Sequence, residues 1–381
     1  MVFVRPFAVV NAMTLLERFE AKSFRGPGFD LLRLGAATMV VLHHSSGVDD
    51  RDIRLDPLFY FSGGFIHFGF LAVAIFFAIS GFLVTPSLLR SGNITDFATR
   101  RILRIFPGLI VVVLVAMFAV GPILTHLPIR AYFSDFELYR YAKNIVTLNI
   151  NFLPGVISED GRPWIINGSL WTLHFEVLSY IALAVTSALG ILRRRSLFLA
   201  LFAVSYGTNI VLQLHPELAA ALPGRFVTFM SLFIYFITGA TLFVYSDRIS
   251  YSPILAFGIF VLGLVTLHFG LGAFTVPFCV SYLVVYLGLS ALPGRSYLKH
   301  DLSYGVYLIH GLILAMVELL FPSFRVWWLV ATLVLLVTLI MAYLSWTYVE
   351  QPPLRHKKMI SDWINQRTDA LWAPRKLIAK H

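Results

Sequence analysis

Arg33 and His44 stand eleven residues apart in the first strongly apolar run of the sequence, FDLLRLGAATMVVLHHSSG. Eleven helical steps of about 100° return to within roughly 20° of the start, so the two side chains share one helix face, about 16 Å apart along its axis. That face carries a fixed cation and a titratable imidazole at different depths. His43 points to a neighbouring face, as a polar residue at an apolar boundary would. A later run opens GSLWTLHFEVLSY, and Glu176 lies roughly 15 Å of helical rise inside it. If the two runs enter from opposite sides, Glu176 and His44 reach similar depths. A carboxylate beside an imidazole fixes its tautomer and stabilises its charged form, which suits general-base work on a hydroxyl. The same pair could simply fasten two helices together. The cost of ionisable groups inside apolar helices favours the functional reading. His174, two residues before Glu176, lies on another face.

Ahead of the third run comes ATRRILRIFPG. Arg101 and Arg104 are neighbours on one side of a helix there, and Arg100 stacks over Arg104 at i, i+4. Guanidinium groups suit phosphates, but arginines at the end of an apolar run also serve as ordinary membrane anchors. FFAISGFLVT contains Ser80-Gly81, where two backbones can approach closely. SYGVYLIHG places His310 with Tyr304 and Tyr307 on the preceding turns, and TYVEQPPLR puts Glu350 ahead of two prolines. Ser80, Trp171, His174, Tyr304 and His310 are candidates to line a cavity, although a structural role is open for each.

These residues need a scaffold, and composition indicates which. Of 381 residues, 58% are hydrophobic and only 13% charged, with a mean hydropathy of +0.79. A soluble domain has about 25% charged residues, so bilayer is the better solvent for this chain. Apolar runs predict about ten transmembrane helices near 29–47, 65–89, 104–125, 166–190, 196–213, 226–246, 252–270, 272–291, 303–321 and 326–349. The expected class is an all-α polytopic membrane protein. Its parts are an N-terminal segment 1–28, a membrane domain 29–350 and a basic tail 351–381. With both termini cytoplasmic, the inner segments collect Arg5, Arg18, Lys22, Arg25, Arg90, Arg100, Arg101, Arg104, Arg193–Arg195, Arg248, Arg295, Lys299 and the tail cations. The opposite side then holds fewer: Arg51, Arg54, Arg130, Arg140, Lys143, Arg162, Arg225 and Arg325. That asymmetry follows the positive-inside rule. The tight link Gly270–Gly272 is the weakest point of this topology.

The longest connection, about 126–165, is expected outside. It carries Tyr132, Tyr139, Tyr141, Asp135, Glu137, Asn149, Asn151, Glu159, Asp160 and Trp164. Aromatic faces with carboxylates and amides suit a sugar, while the same composition suits an amphipathic interfacial segment. Basic residues at span ends, rather than on one face with interleaved aromatics, argue against nucleic acid as a partner. The single cysteine, Cys279, and the absence of metal-ligand spacing leave no metal site to expect. Charged residues Glu17, Arg18, Glu20, Lys22 and Arg25 interrupt the N-terminal region, so a retained first helix is expected rather than a cleaved signal.

The order of these elements resembles the membrane-bound acyltransferase-3 family. The likeness runs over about residues 29–355, through Arg33 and His44, FFAISGFL at 76–83, RRILRIFP at 100–107, SLWTLHFE at 169–176, SYGVYLIH at 303–310 and VEQP at 349–352. The resemblance implies O-acylation, usually acetylation, of an extracytoplasmic glycan such as exopolysaccharide, lipopolysaccharide or an oligosaccharide signal. It implies an acyl-coenzyme A donor and a bacterial inner (plasma) membrane. Arg33 and His44 match signature residues of the family, and Glu176 matches the glutamate of its Trp-Ser-Leu-x-x-Glu element, here with Thr172 at the serine position. Arg33, Arg100, Arg101 and Arg104 become candidate donor-phosphate contacts. Many relatives append an outer esterase-like domain; the sequence shows none, so the reaction is expected to finish within the membrane core or on a partner.

The expected mechanism has His44, oriented by Glu176, taking a proton from the acceptor hydroxyl while acyl-coenzyme A docks on the arginines; an acyl-His44 intermediate is the other route. The rival class is a secondary transporter or flippase whose buried His and Glu relay protons. Repeated halves with broken helices would mark it, and the sequence shows none. The acceptor, the acyl length and the oligomeric state are silent in the sequence.

Overall fold

The computed structural model describes residues 13–24, 26, 28–47, 53–91, 93–290, 300–324 and 326–372. Arg5, Arg25, Arg51, Arg295, Lys299, Arg325, Arg375, Lys376 and Lys380, which the charge-asymmetry argument uses, lie outside the described residues. Among the described residues the chain is helical, with isolated bridges but no strand. Ten apolar helices follow one another among these described residues: α1 (Phe29–Ser45), α2 (Phe68–Ser91), α3 (Ile94–Leu124), α4 (Trp171–Ala188), α5 (Arg195–Leu214), α6 (Gly224–Val244), α7 (Pro253–His268), α8 (Gly272–Leu289), α9 (Ser303–Leu320) and α10 (Trp327–Arg355). Eight are long and apolar enough to cross a membrane; α1 and α7, at 17 and 16 residues, are shorter.

One helix start and one helix end differ from expectation for a physical reason. α3 begins at Ile94, ten residues before the expected 104, capped by Asn93, whose Oδ1 accepts from Thr95 and Asp96. Its arginines do not end the helix: carboxylates meet Arg100 and Arg104, and Arg101 lies over the Tyr180 ring. α10 continues past 349 through a π turn at Trp346–Glu350. A second π turn, Ala116–Val120, stands just before Gly121-Pro122 in α3. In both places the wider turn accommodates a proline ring that would collide with a regular helical carbonyl.

The chain divides into two compact units. The first comprises Met1–Ala36, Asp52–Thr85 and Leu189–Leu298. Its close helix crossing is between α2 and α6. A Cβ on Gly81 would stand 1.9 Å from the Phe236 carbonyl oxygen, and one on Gly239 would stand 2.3 Å from that of Ala78. Two glycines therefore let the backbones touch.

The second unit comprises Ala37–Arg51, Pro86–Ala188 and Lys299–His381. Within it α9 packs on α10 and on α3. The tail forms α11 (Lys357–Trp372), which packs against α3 and joins it through an Asn93–Asn365 hydrogen bond of 3.3 Å. The 126–165 connection is itself folded into short helical turns, Ile129–Ser134, Phe136–Tyr141 and Ala142–Val146. Tyr132 and Tyr141 are buried there. The Tyr132 hydroxyl donates to the Met117 carbonyl beside the π turn at 2.8 Å. Asn144 brackets the backbone of Ile150, donating at 2.8 Å and accepting at 2.9 Å. Phe136 and Tyr139 remain exposed.

Candidate active site

The second unit holds His44, Glu176, Arg100, Arg101, Arg104, Trp171, His174, Tyr304 and His310. Arg33 lies on the part of α1 assigned to the first unit and pairs with Asp30 at 3.7 Å. Ser80 is also in the first unit, buried on α2 beside Gly81.

α9 organises the site. Asp301 lies just before it, and Tyr304, Tyr307 and His310 follow on it at intervals of three residues, so His310 lies about 9 Å further along the axis than Tyr304. At the near end, Arg104 bonds Asp301 at 2.6 Å and Glu350 at 3.3 Å. Its guanidinium lies over the rings of Tyr304, at 5.2 Å, and Trp346, at 5.7 Å. Glu350, only 1% exposed within the π turn of α10, also accepts from Ser345 at 2.9 Å. A planar fork can serve two carboxylates at once, which a lysine cannot do as well. The VEQP motif thus supplies the carboxylate of a clamp between α3, α9 and α10.

Arg100 bonds Asp96 one turn earlier at 2.5 Å. Arg101 lies over the Tyr180 ring at 5.7 Å, and among the described residues it meets no carboxylate. The Nε atoms of Arg100 and Arg101 are both buried without a hydrogen-bond partner among the described residues. An unfilled donor on a partly exposed guanidinium suits an anionic ligand. Arg104, already matched by two carboxylates, has no such surplus. Glu176 accepts from the Tyr180 hydroxyl at 2.5 Å and is near enough to act electrostatically on Arg104, Tyr304 and Tyr307.

Deeper along α9, a polar seam joins it to the start of α4. Thr172 donates to the Tyr307 hydroxyl at 2.6 Å, which donates to the Ser169 carbonyl at 2.8 Å. Ser169 reaches the Tyr307 carbonyl at 2.9 Å, and Asn167 donates to that of Leu308 at 2.7 Å. A serine in place of Thr172 could make the same bond, so that departure from the family pattern is conservative. Gly311 is required here, since a Cβ on it would stand 2.4 Å from the Asn167 Oδ1. Trp171 stacks edge-on against Phe175, and His174 against the same ring from the adjoining position.

At the far end His44 meets His310, Nδ1 to Nε2, at 3.0 Å. His310 is completely buried, and its Nδ1 lies 2.9 Å from the Tyr307 carbonyl and 3.1 Å from that of Val306. Carbonyls only accept, so the neutral ring carries its proton on Nδ1 and presents a lone pair at Nε2. His44 must then donate from Nδ1, which makes its Nε2 the basic nitrogen. Two imidazoles in series can take up a proton and stabilise it.

The sequence profile of the acyltransferase-3 family, described as an acyltransferase domain, matches residues 27–347. The chain belongs to this family. It is an acyltransferase and, with its apolar helices, an integral membrane protein. An O-acetyl transferase of Shigella phage Sf6 is 32% identical over 189 residues, 48% of this chain and 52% of that protein. The alignment thus spans about half the length of that relative. Nodulation protein 10 of Rhizobium leguminosarum bv. viciae is 29% identical over 357 residues, 88% of this acyltransferase and 95% of that relative. No solved structure matches.

Several residues of the acyltransferase site escaped sequence reasoning. His310 could be named only as cavity-lining, since nothing in SYGVYLIH marks a partner 266 residues away. Asp301, Tyr180 and Asn167 carried no motif of their own, although each lies within a few residues of one. Glu350 was legible as a motif residue but not as the partner of Arg104.

Proposed function

We propose that this chain transfers a short acyl group from acyl-coenzyme A to a hydroxyl of an extracytoplasmic glycan, in a bacterial inner membrane with both termini cytoplasmic. The observation that carries the reading is the His44–His310 pair, whose hydrogen bonds leave a lone pair on His44 Nε2. His44 accepts the proton of the acceptor hydroxyl; the oxygen attacks the thioester carbonyl, the C–S bond breaks, and the coenzyme A thiolate takes the proton and leaves. His310 holds the imidazole in the required tautomer and stabilises its protonated form. Arg101, with Arg100, receives donor phosphate through the unfilled Nε groups. Arg104 holds α3, α9 and α10 in register, and Glu176 positions Tyr180 and through it Arg101. The name of one relative, an O-acetyl transferase, agrees with an acetyl group.

Mass spectrometry of cell-surface glycans tests the reading. Cells carrying His44→Ala at wild-type protein level should lose the acyl mark, with turnover down about 10²–10⁴-fold as for loss of a general base. Glycans acylated equally by the variant would reject the reading. Direct transfer, as written, leaves no acyl adduct on His44 when the purified protein is mixed with donor alone.

A further inference from the structure

The first unit contains a half-enclosed cavity of about 270 Å³, walled by Phe59, Phe65, Phe70, Tyr235, Asn209 and His67. It lies where the end of α5, the first halves of α6 and α8 and the start of α2 come together. Asp56 builds its rim: Oδ1 accepts from Leu58 and Phe59, capping the short helix Pro57–Phe61, while Oδ2 accepts from Phe68 at the start of α2. The chain between turns through Gly63 and Gly64, both at positive φ, and Ser62 bonds Ile66 in both directions. Phe70 meets Tyr235 edge-on at 6.1 Å.

Two polar side chains in this wall have no hydrogen-bond partner among the described residues. Asn209 and Tyr235 are 3% and 2% exposed, both lie in apolar helices, and neither makes a side-chain hydrogen bond among the described residues. An amide or hydroxyl in an otherwise apolar wall takes its hydrogen-bond partner from whatever fills the cavity. The protein has two of them facing one cavity, with Gln213 and Ser231 also on its wall.

We infer that this cavity binds one neutral pyranose ring of the acceptor, with Asn209 and Tyr235 bonding its hydroxyls and the phenylalanines covering its apolar face. The volume equals about nine water molecules, which suits one sugar ring and is too small for a coenzyme. The lining lacks any Lys, Arg, Asp or Glu, so it suits a neutral group rather than a phosphate. An apolar ligand such as a lipid chain would leave Asn209 and Tyr235 unsatisfied. The inference rests on the acyl-transfer reading only in naming the sugar as the acceptor; binding itself needs neither donor nor turnover.

The test uses the full chain in lipid nanodiscs and saturation-transfer NMR with methyl pyranosides of glucose, galactose, rhamnose and N-acetylglucosamine. At least one should receive saturation from the protein. Asn209→Leu and Tyr235→Phe should each weaken that sugar about three- to tenfold, the worth of one neutral hydrogen bond. Neither side chain is hydrogen-bonded to another of the described residues, so both variants should melt no lower than wild type, which separates lost binding from misfolding. No transfer to any of the four sugars, or equal transfer in the variants, would mean a water-filled cavity and overturn the inference. If His44→Ala still abolishes glycan acylation in that case, the acyl-transfer reading stands and only this site is rejected.

Discussion

The imidazoles of His44 and His310 lie nearly parallel, 19° apart with centroids separated by 5.2 Å, and share one hydrogen bond. His310 is the inner member, held by the backbone of its own helix. Removing it leaves the His44 tautomer unspecified. His310→Ala should lower turnover about 10²-fold or more at unchanged donor KM. His310→Gln, which can offer an amide oxygen to the His44 Nδ1–H, should recover part of the loss. Equal loss in both variants would point to a packing role alone. Steady-state kinetics in nanodiscs decides.

Arg101 differs from Arg104 in what surrounds it. Arg101→Ala should raise KM for acyl-coenzyme A about tenfold, the worth of one charge-assisted contact, with little change in maximal rate. A donor fragment without phosphates, acetyl-pantetheine, should be indifferent to the change. If both donors weaken alike, Arg101 does not meet phosphate.

Arg104 should behave as a structural group. Its removal strands the buried Glu350 carboxylate, and breaking one side of a buried pair typically costs about 3–5 kcal/mol. Arg104→Ala should therefore lower the melting temperature in detergent markedly, and Arg104→Lys should restore it only in part. The double variant Arg104→Ala with Glu350→Gln should be less destabilised than the first change alone. Thermal unfolding monitored by tryptophan fluorescence is the measurement.

Burial raises the hydroxyl pKa of both Tyr132 and Tyr141 above its ordinary value of 10.0. A raised value means the folded chain holds its proton when the unfolded chain would release it. The stability these tyrosines contribute is complete below pH 10 and declines as pH rises above it. Hydrogen exchange in segment 126–165 should accelerate above pH 10, and Tyr132→Phe should blunt that rise. A flat profile in the wild type would contradict it.

The α2–α6 crossing offers a packing test. Gly81→Ala sets a methyl against the Phe236 carbonyl, and overpacking of this kind costs about 1–3 kcal/mol. A lowered melting temperature is expected, whereas Gly207→Ala, which meets open space, should be neutral or better.

Much of the scaffold was legible because hydrocarbon imposes a length and a composition on each helix. α1, α5 and α9 begin and end within a few residues of their expected limits. α3 was misjudged at its start because hydropathy scores Arg100, Arg101 and Arg104 as a boundary, while Asp96, Asp301 and Glu350 meet two of them. The chemistry was legible as residue types and not as pairs. Periodicity put Arg33 and His44 on one face, but a partner chosen by tertiary packing leaves no local trace. Nor was His310 foreseen as a partner of His44, or the Tyr180 hydroxyl as a donor to Glu176. SLWT reads as a motif, yet its use, a seam to Tyr307 and Leu308, emerges only in three dimensions.

The bonding of α9 constrains how substrates can be admitted. Tyr304 is tied to the Ile105 carbonyl, Tyr307 to that of Ser169, Leu308 to Asn167 and His310 to His44. Any sliding or rotation of this helix would rupture four attachments to three separate stretches of chain at once. α9 is therefore the stator of the machine, and whatever opens to let a thioester in must swing around it.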